Sequence, residues 1–324
     1  MEYRPLGNSG LKVPVLCLGA MTFGEADDKS FMHNVGCDEK TSFAILDAFI
    51  AGGFTAVDTA DVYSRWVPGN DGDSEKIIGR WMKARGNRDK VHVLTKVGSD
   101  VGQGKRDLSA KWIETAVEAS LTRLQTDYID LYQSHWPDPT ATHEETLGAY
   151  ERLIRAGKVR HVGCSNYDEA LLTGALEATK EKGLPRYETV QNEYNLYTRN
   201  QFEGAVQDFV IREGMSLIPY SSLASGFLTG KYRSKDDLAQ SPRGGGIGKY
   251  LDDRGVRILA AMDEVSETTG AAHADIALAW INAQPGVAAA IASATSLEQL
   301  DSLMRGARLV LDAASLARLT DAGN

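Results

Sequence analysis

Three short segments of this 324-residue chain carry the residue types that move protons: Val57-Asp58-Thr59-Ala60-Asp61-Val62-Tyr63, Leu94-Thr95-Lys96-Val97 and Ser134-His135-Trp136-Pro137. Each falls where an aliphatic run gives way to polar residues, the mark of a strand passing into a loop. A bare tyrosine, with a pKa near ~10, is a poor acid at neutral pH. A nearby ammonium such as Lys96 favours the phenolate and lowers that pKa. Asp58 would hold the ammonium, and His135 would donate to a carbonyl oxygen or order the substrate beside it. If the strands meet in space, the set suits an enzyme acting on carbonyls or alcohols. Singly, each residue has an ordinary explanation, such as a capped turn, a surface charge or half-buried packing. Four at successive strand ends weaken that explanation.

The elements that would position them alternate regularly. Helical periodicity covers 41–51, 74–84, 109–124, 144–156, 168–181, 201–213, 255–268, 274–283 and a last region from 297 onward. Strand-like runs cover 54–57, 90–95, 128–133, 159–163, 188–191, 215–219 and 287–291, with an eighth around 15–18. Strand–helix alternation implies parallel strands with helical crossovers. Before the first strand, Arg4 to Val13 reads as a hairpin turning at Asn8-Ser9-Gly10. It is placed to plug one end of a barrel.

Two closures compete, an open doubly wound sheet and a (β/α)8 TIM barrel. An open sheet binding a dinucleotide would usually show G-x-G-x-x-G after its first strand, and no such motif occurs. Gly226-Phe227-Leu228-Thr229-Gly230-Lys231-Tyr232 resembles a phosphate loop only superficially. Ser225 stands where the first glycine is required, and Tyr232 where a hydroxyl should bind magnesium. The barrel is therefore expected, as a single domain over 1–324 with the hairpin below it and extra C-terminal helices. Strand C-termini of such a barrel converge on one face, where Asp58, Tyr63, Lys96 and His135 would meet.

Composition narrows the partners. A net charge of −9 argues against nucleic acid, which favours a basic surface. No stretch approaches the ~20 apolar residues that cross a bilayer, and the N-terminus lacks a secretory h-region. Cys17, Cys37 and Cys164 are too few and too scattered for a disulfide framework, which fits a reducing cytoplasm. His33 and Cys37 are four apart with no second ligand pair, so no metal is expected. No heptad fixes an oligomeric state.

Over nearly its whole length the chain resembles the aldo-keto reductases. The opening hairpin and Leu18-Gly19-Ala20-Met21-Thr22-Phe23-Gly24 resemble that family's start, and its Asp, Tyr, Lys and His tetrad falls in order on Asp58, Tyr63, Lys96 and His135. The resemblance implies hydride transfer from a nicotinamide to a carbonyl carbon, with Tyr63 protonating the oxygen. It also implies that Ser165, Asn166 and Gln191 bind the carboxamide and that Tyr220 stacks on the nicotinamide ring. The stretch Ser221, Leu223, Gly226, Leu228, Gly230 and Lys231 would wrap the pyrophosphate, and Met21, Thr22 and Asp58 would join the cofactor site.

The departure from the family lies after the last strand, in Ile291-Ala292-Ser293-Ala294-Thr295-Ser296-Leu297-Glu298-Gln299. Members preferring NADPH often place a basic residue where Ser296 stands, and Ser293 replaces the usual glycine. A hydroxyl brings no charge to a phosphate. Arg305, about two to three helical turns further on, could compensate. Gln299 is retained and could touch the adenine. NADP is the expected cofactor and NAD the alternative. Substrate choice is expected from Trp66 and Trp136 and from the loops at 64–73 and 26–39, the second containing Phe31 and Met32. The competing reading is a nucleotide-binding regulatory or redox-sensing subunit with little turnover.

Overall fold

The computed structural model describes residues 2–24, 35–240 and 244–324. Phe31, Met32 and His33 therefore lie outside the described residues. The chain opens with an antiparallel hairpin, β1 (Tyr3–Pro5) and β2 (Lys12–Pro14). The strands β3 (Leu16–Gly19), β4 (Ala56–Asp58), β5 (His92–Val97), β6 (Ile129–Ser134), β7 (Val159–Ser165), β8 (Thr189–Gln191), β9 (Ser216–Leu217) and β10 (Ala290–Ala292) follow. They form one parallel sheet in the order β10-β3-β4-β5-β6-β7-β8-β9. The two ends meet: Leu217 N–H donates to Gly286 at 2.8 Å, Ala288 N–H to Leu217 at 2.9 Å and Ile291 N–H to Pro219 at 2.9 Å. The sheet is thus the expected (β/α)8 barrel.

Helices α1 (Glu39–Ala51), α2 (Asp73–Arg85), α3 (Ala110–Leu124), α4 (His143–Arg155), α5 (Glu169–Lys182) and α6 (Ala205–Arg212) each follow one strand. After β9 come α7 (Gly244–Ile247), α8 (Asp253–Thr269) and α9 (His273–Asn282), and after β10 come α10 (Leu297–Gly306) and α11 (Ala313–Ala322). Side chains start many of them. Asp38, Ser109, Thr142, Asp168, Asp252, Ser296 and Asp312 each accept from a backbone N–H in the first turn. The apolar stripes of the helices cover the outer face of the sheet.

Inside the barrel, alternation sorts side chains into layers. Cys17, Ala56, Leu94, Leu131, Ile218 and Ile291 form an apolar layer, sealed below by Leu6 and Val13 of the hairpin. Two residues further along their strands, on the same face, come Asp58, Lys96 and Gln133, with His135 two beyond that. The hairpin is fixed at the opposite end. Arg4 donates to the carbonyls of Asn282 and Val287 at 2.6 and 2.9 Å, and Asn8 N–H donates to Glu188 at 2.7 Å.

Several boundaries differ from the sequence reading. The strands expected at 54–57, 90–95 and 128–133 run later, to Asp58, Val97 and Ser134, because polar side chains belong to the interior layer rather than to a loop. The helix expected from 201 begins at Ala205, since Gly204 takes a φ of 87° that breaks the preceding turn. The long loop after β9 contains short helical turns, including 224–229 and 235–240.

Gly79, in the middle of α2, marks the closest approach of α2 to α3. A Cβ there would lie 2.3 Å from the Arg123 carbonyl oxygen and 2.6 Å from the Leu124 carbonyl carbon. Alanine gains about 1 kcal/mol of helix propensity over glycine, but forcing rigid backbone apart costs about 1–3 kcal/mol. Gly79→Ala is expected to destabilise the fold by up to about 2 kcal/mol, read from the urea unfolding midpoint; a stabilised variant would show that the helices separate freely.

Candidate active site

β4 and β5 bring Asp58 and Lys96 face to face. Lys96 is fully buried, and its ammonium donates to Asp58 Oδ1 at 2.6 Å, to the Thr59 carbonyl at 2.9 Å and to the Tyr63 hydroxyl at 3.2 Å. All three of its N–H bonds are used. The second Asp58 oxygen accepts from Gln191 Nε2 at 2.9 Å, and that amide also reaches Gln133 Oε1 at 3.3 Å. Tyr63 lies edge-on to His135, ring centroids 5.9 Å apart. The four residues read from the sequence as a proton-transfer set thus occupy one rim of the barrel.

Their protonation follows from burial and charge. Burial works against the Lys96 cation, but Asp58 and Tyr63 outweigh it and raise its pKa above the ordinary 10.5. His135 is held well below 6.5, first by burial and then by Lys96 and Arg106, so its ring is neutral at pH 7. Tyr63 departs from expectation. Lys96 does pull its phenol down, but burial is the larger influence and the pKa lies above the ordinary 10. Tyr63 therefore carries its proton at neutral pH, as a proton donor must.

The other expected residues gather around the same rim. Ser165 Oγ donates to the Gln191 carbonyl at 2.7 Å, and Asn166, at a left-handed φ of 62°, donates to the His135 carbonyl at 2.9 Å. The Tyr220 hydroxyl donates to Asn166 Oδ1 at 2.8 Å. Trp66 lies 6.2 Å from Tyr63 and Trp136 stacks on His135 at 6.1 Å, ring centroid to ring centroid. Arg106 sits 4.4 Å over the Trp136 ring. Met21 and Thr22 follow β3, where the buried Thr22 carbonyl accepts from Cys37 N–H at 2.8 Å.

Beyond Tyr220 the backbone takes left-handed φ at Ser221, Ala224, Ser225 and Gly226, between 47° and 99°, and again at Gly230. Non-glycine residues rarely adopt it, and such runs turn backbone N–H groups toward a common anion. Leu228 is buried in the core, Leu223 is partly buried against it, and Lys231 is exposed. After β10, Ser296 caps α10 by accepting from Gln299 N–H at 3.2 Å, while Gln299 Oε1 accepts from Thr295 N–H at 2.9 Å. Ser293 Oγ lies 2.6 Å from where a Cβ on Gly19 would stand. Arg305 is paired with Asp275 of α9 and with Asp301 of α10.

Several residues of the site escaped the sequence reading. Gln133 was legible in principle, being two residues before His135 on the same strand face. Asp61 and Glu75 were not. Glu75, fully buried, accepts from Thr95 Oγ1 at 2.6 Å and from Arg123 at 2.7 Å. Asp61, between Asp58 and Tyr63, is buried with neither carboxylate oxygen in a full hydrogen bond, although the Val62 N–H favours its ionised form. Burial and Glu75 push its carboxyl up to about 8, against Arg123 and Arg65.

With this geometry in view, the comparisons with known proteins are clear. The pattern of the Aldo/keto reductase family matches residues 15–324. "Protein tas" of Escherichia coli (strain K12) is 32% identical, the alignment covering 98% of this chain and 96% of that protein. "Uncharacterized oxidoreductase YrpG" of Bacillus subtilis (strain 168) is 35% identical, over 99% and 95%. "Probable voltage-gated potassium channel subunit beta" of Arabidopsis thaliana is 30% identical, over 96% and 92%. The chain belongs to the aldo-keto reductase family and is an oxidoreductase.

Asp61 gives the stability a pH dependence with a definite sign. The unfolded carboxyl releases its proton near ~3.9, whereas the folded one keeps it to about 8. Between these values the folded state binds more protons, so stability falls as pH rises. Wild type is expected to lose stability relative to Asp61→Asn between pH ~4 and ~8, and no further above that. Chemical unfolding of both proteins across that range checks it; parallel curves would place the Asp61 titration elsewhere.

Proposed function

We propose that this protein is a nicotinamide-dependent reductase of aldehydes and ketones, reversible on the corresponding alcohols, with Tyr63 as the general acid. The observation that carries the reading is the Lys96 ammonium bonded at once to Asp58 and to the Tyr63 hydroxyl at the strand C-terminal rim. Tyr63 holds a proton at neutral pH and gives it to a carbonyl oxygen as negative charge develops there. Lys96 lowers the cost of the phenolate left behind, and Asp58 keeps the ammonium in register. The neutral His135 ring offers the same oxygen a second polar contact. In the alcohol direction the phenolate takes the proton back.

When bound, a nicotinamide cofactor supplies or accepts the hydride. The residues present fit one. The left-handed residues Ser221, Ala224, Ser225 and Gly226 suit a pyrophosphate, the Tyr220 ring offers a flat face, and Ser165, Asn166 and Gln191 bring amide and hydroxyl groups to the rim. Met21, Thr22, Leu223, Leu228, Gly230 and Lys231 complete that wall, and Ser293, Ser296 and Gln299 would meet the adenosine end. NADP is the cofactor we propose, with weak discrimination against NAD, because Ser296 carries no charge and Arg305 is already paired. Trp66 and Trp136 would flank a small carbonyl or alcohol. Three free, buried cysteines suit a single-domain protein of the reducing cytoplasm.

Tyr63→Phe is expected to lower kcat for aldehyde reduction by at least ~100-fold while cofactor affinity stays within a few-fold. Unchanged turnover would remove Tyr63 from the acid role. Tight nucleotide binding with no turnover across an aldehyde panel would instead favour a regulatory subunit. For the cofactor, kcat/KM with NADPH is expected within roughly tenfold of that with NADH, about 1.4 kcal/mol. A preference of a thousandfold either way would show that another group recognises, or rejects, the phosphate.

A further inference from the structure

We infer that Ser99 is a positioning residue which fixes the tautomer of His135, so that the ring presents an Nε2–H to the cleft. This rests on the reductase reading only for its effect on rate. Ser99 follows β5 through Gly98, whose φ of 108° turns the chain back beneath the His135 ring. A Cβ on Gly98 would also meet Leu108 Cδ2 at 2.6 Å, so the position favours glycine on space as well as on φ. Gln103 secures the same turn by donating to the Ser99 carbonyl at 2.8 Å. As a result Ser99 Oγ lies 3.0 Å from His135 Nδ1, with both residues buried.

The direction of that bond follows from what each atom can reach. Among the described residues, Nδ1 of His135 is the sole hydrogen-bond partner of the Ser99 hydroxyl. If Nδ1 carried the proton, the hydroxyl would accept it and leave its own hydrogen without a protein acceptor. If the hydroxyl donates, Nδ1 accepts, and the one hydrogen left without a protein acceptor is that of Nε2, which a substrate oxygen in the cleft can take. A neutral imidazole with an accepting Nδ1 carries its hydrogen on Nε2. His135 is neutral at pH 7 for the reasons given above, so the choice is between two tautomers and not between charge states. Nε2 has no hydrogen-bond partner among the described residues. Its ring stands edge-on to Tyr63 and stacked on Trp136, at the rim where a carbonyl oxygen would meet the phenol.

The test combines spectroscopy with kinetics. Long-range proton–nitrogen correlation spectra of histidine-labelled protein, with His135→Gln to assign the signal among the six histidines, report the tautomer directly. The Nε2–H form is expected in wild type and in Ser99→Thr, and its loss in Ser99→Ala. Ser99→Ala is also expected to lower kcat by about tenfold, a fraction of what acid–base assistance contributes, with cofactor KM unchanged and Ser99→Thr restoring the rate. An Nδ1–H signal in wild type overturns the inference, as does Ser99→Ala that keeps Nε2–H, whatever its rate. If no carbonyl is reduced by wild type, the reductase reading fails while the wild-type spectrum still decides the role of Ser99.

Discussion

The constraint on which the site depends is the charge buried at Lys96. An ammonium with no exposed surface is costly to desolvate, and a single neighbouring carboxylate seldom repays that in full. Here the cation is met by a carboxylate, a carbonyl and a phenol, one for each N–H. Those three partners come from the end of β4 and the loop just beyond it. The position of that loop, and of Tyr63 within it, is therefore set by the need to satisfy one buried cation. Apolar packing could not do this, because it has no direction. Gln191 extends the network across the barrel by taking the remaining Asp58 oxygen, which ties β8 to β4 through side chains although the two strands are not neighbours.

The same low-dielectric setting governs each titrating group differently. Burial disfavours ions, so it keeps Tyr63 protonated, His135 neutral and Asp61 uncharged at neutral pH. Lys96 remains a cation, because Asp58 and Tyr63 outweigh its burial. The reaction proposed for Tyr63 uses this imbalance: the phenolate is unfavourable except beside the one cation already in place.

Much of this was legible in the sequence because the barrel converts position along a strand into position in space. Asp58, Lys96 and His135 stand at or near the ends of successive strands, and strand ends of a parallel barrel share a face. The pattern that made 90–95 and 128–133 readable as strands also placed Leu94 beneath Lys96 and Leu131 beneath Gln133. What stayed hidden depends on contacts between segments distant in sequence. Nothing near Gln191 says that its amide reaches Asp58, and nothing near Ser99 says that a glycine turn brings it under a histidine thirty-six residues later. Nor does the sequence near Arg305 show its pairing with Asp275, which lies on another helix. The pull of Lys96 on Tyr63 was visible, but the burial opposing it was not, because burial belongs to the assembled fold.

The hairpin at the base of the barrel also bears on how the chain reaches its native state. β3 is made long before β10, one of its two neighbours, and Arg4 bonds to carbonyls 278 and 283 residues away. Until the last strand emerges, the edge of β3 is unpaired and the floor of the barrel has nothing to rest on. Contacts of such long range slow folding and leave strand edges open to other chains meanwhile. The residues that seal the end remote from the chemistry are thus made well before the strand that completes their support. A growing chain would carry an open sheet edge from the making of β3 to that of β10.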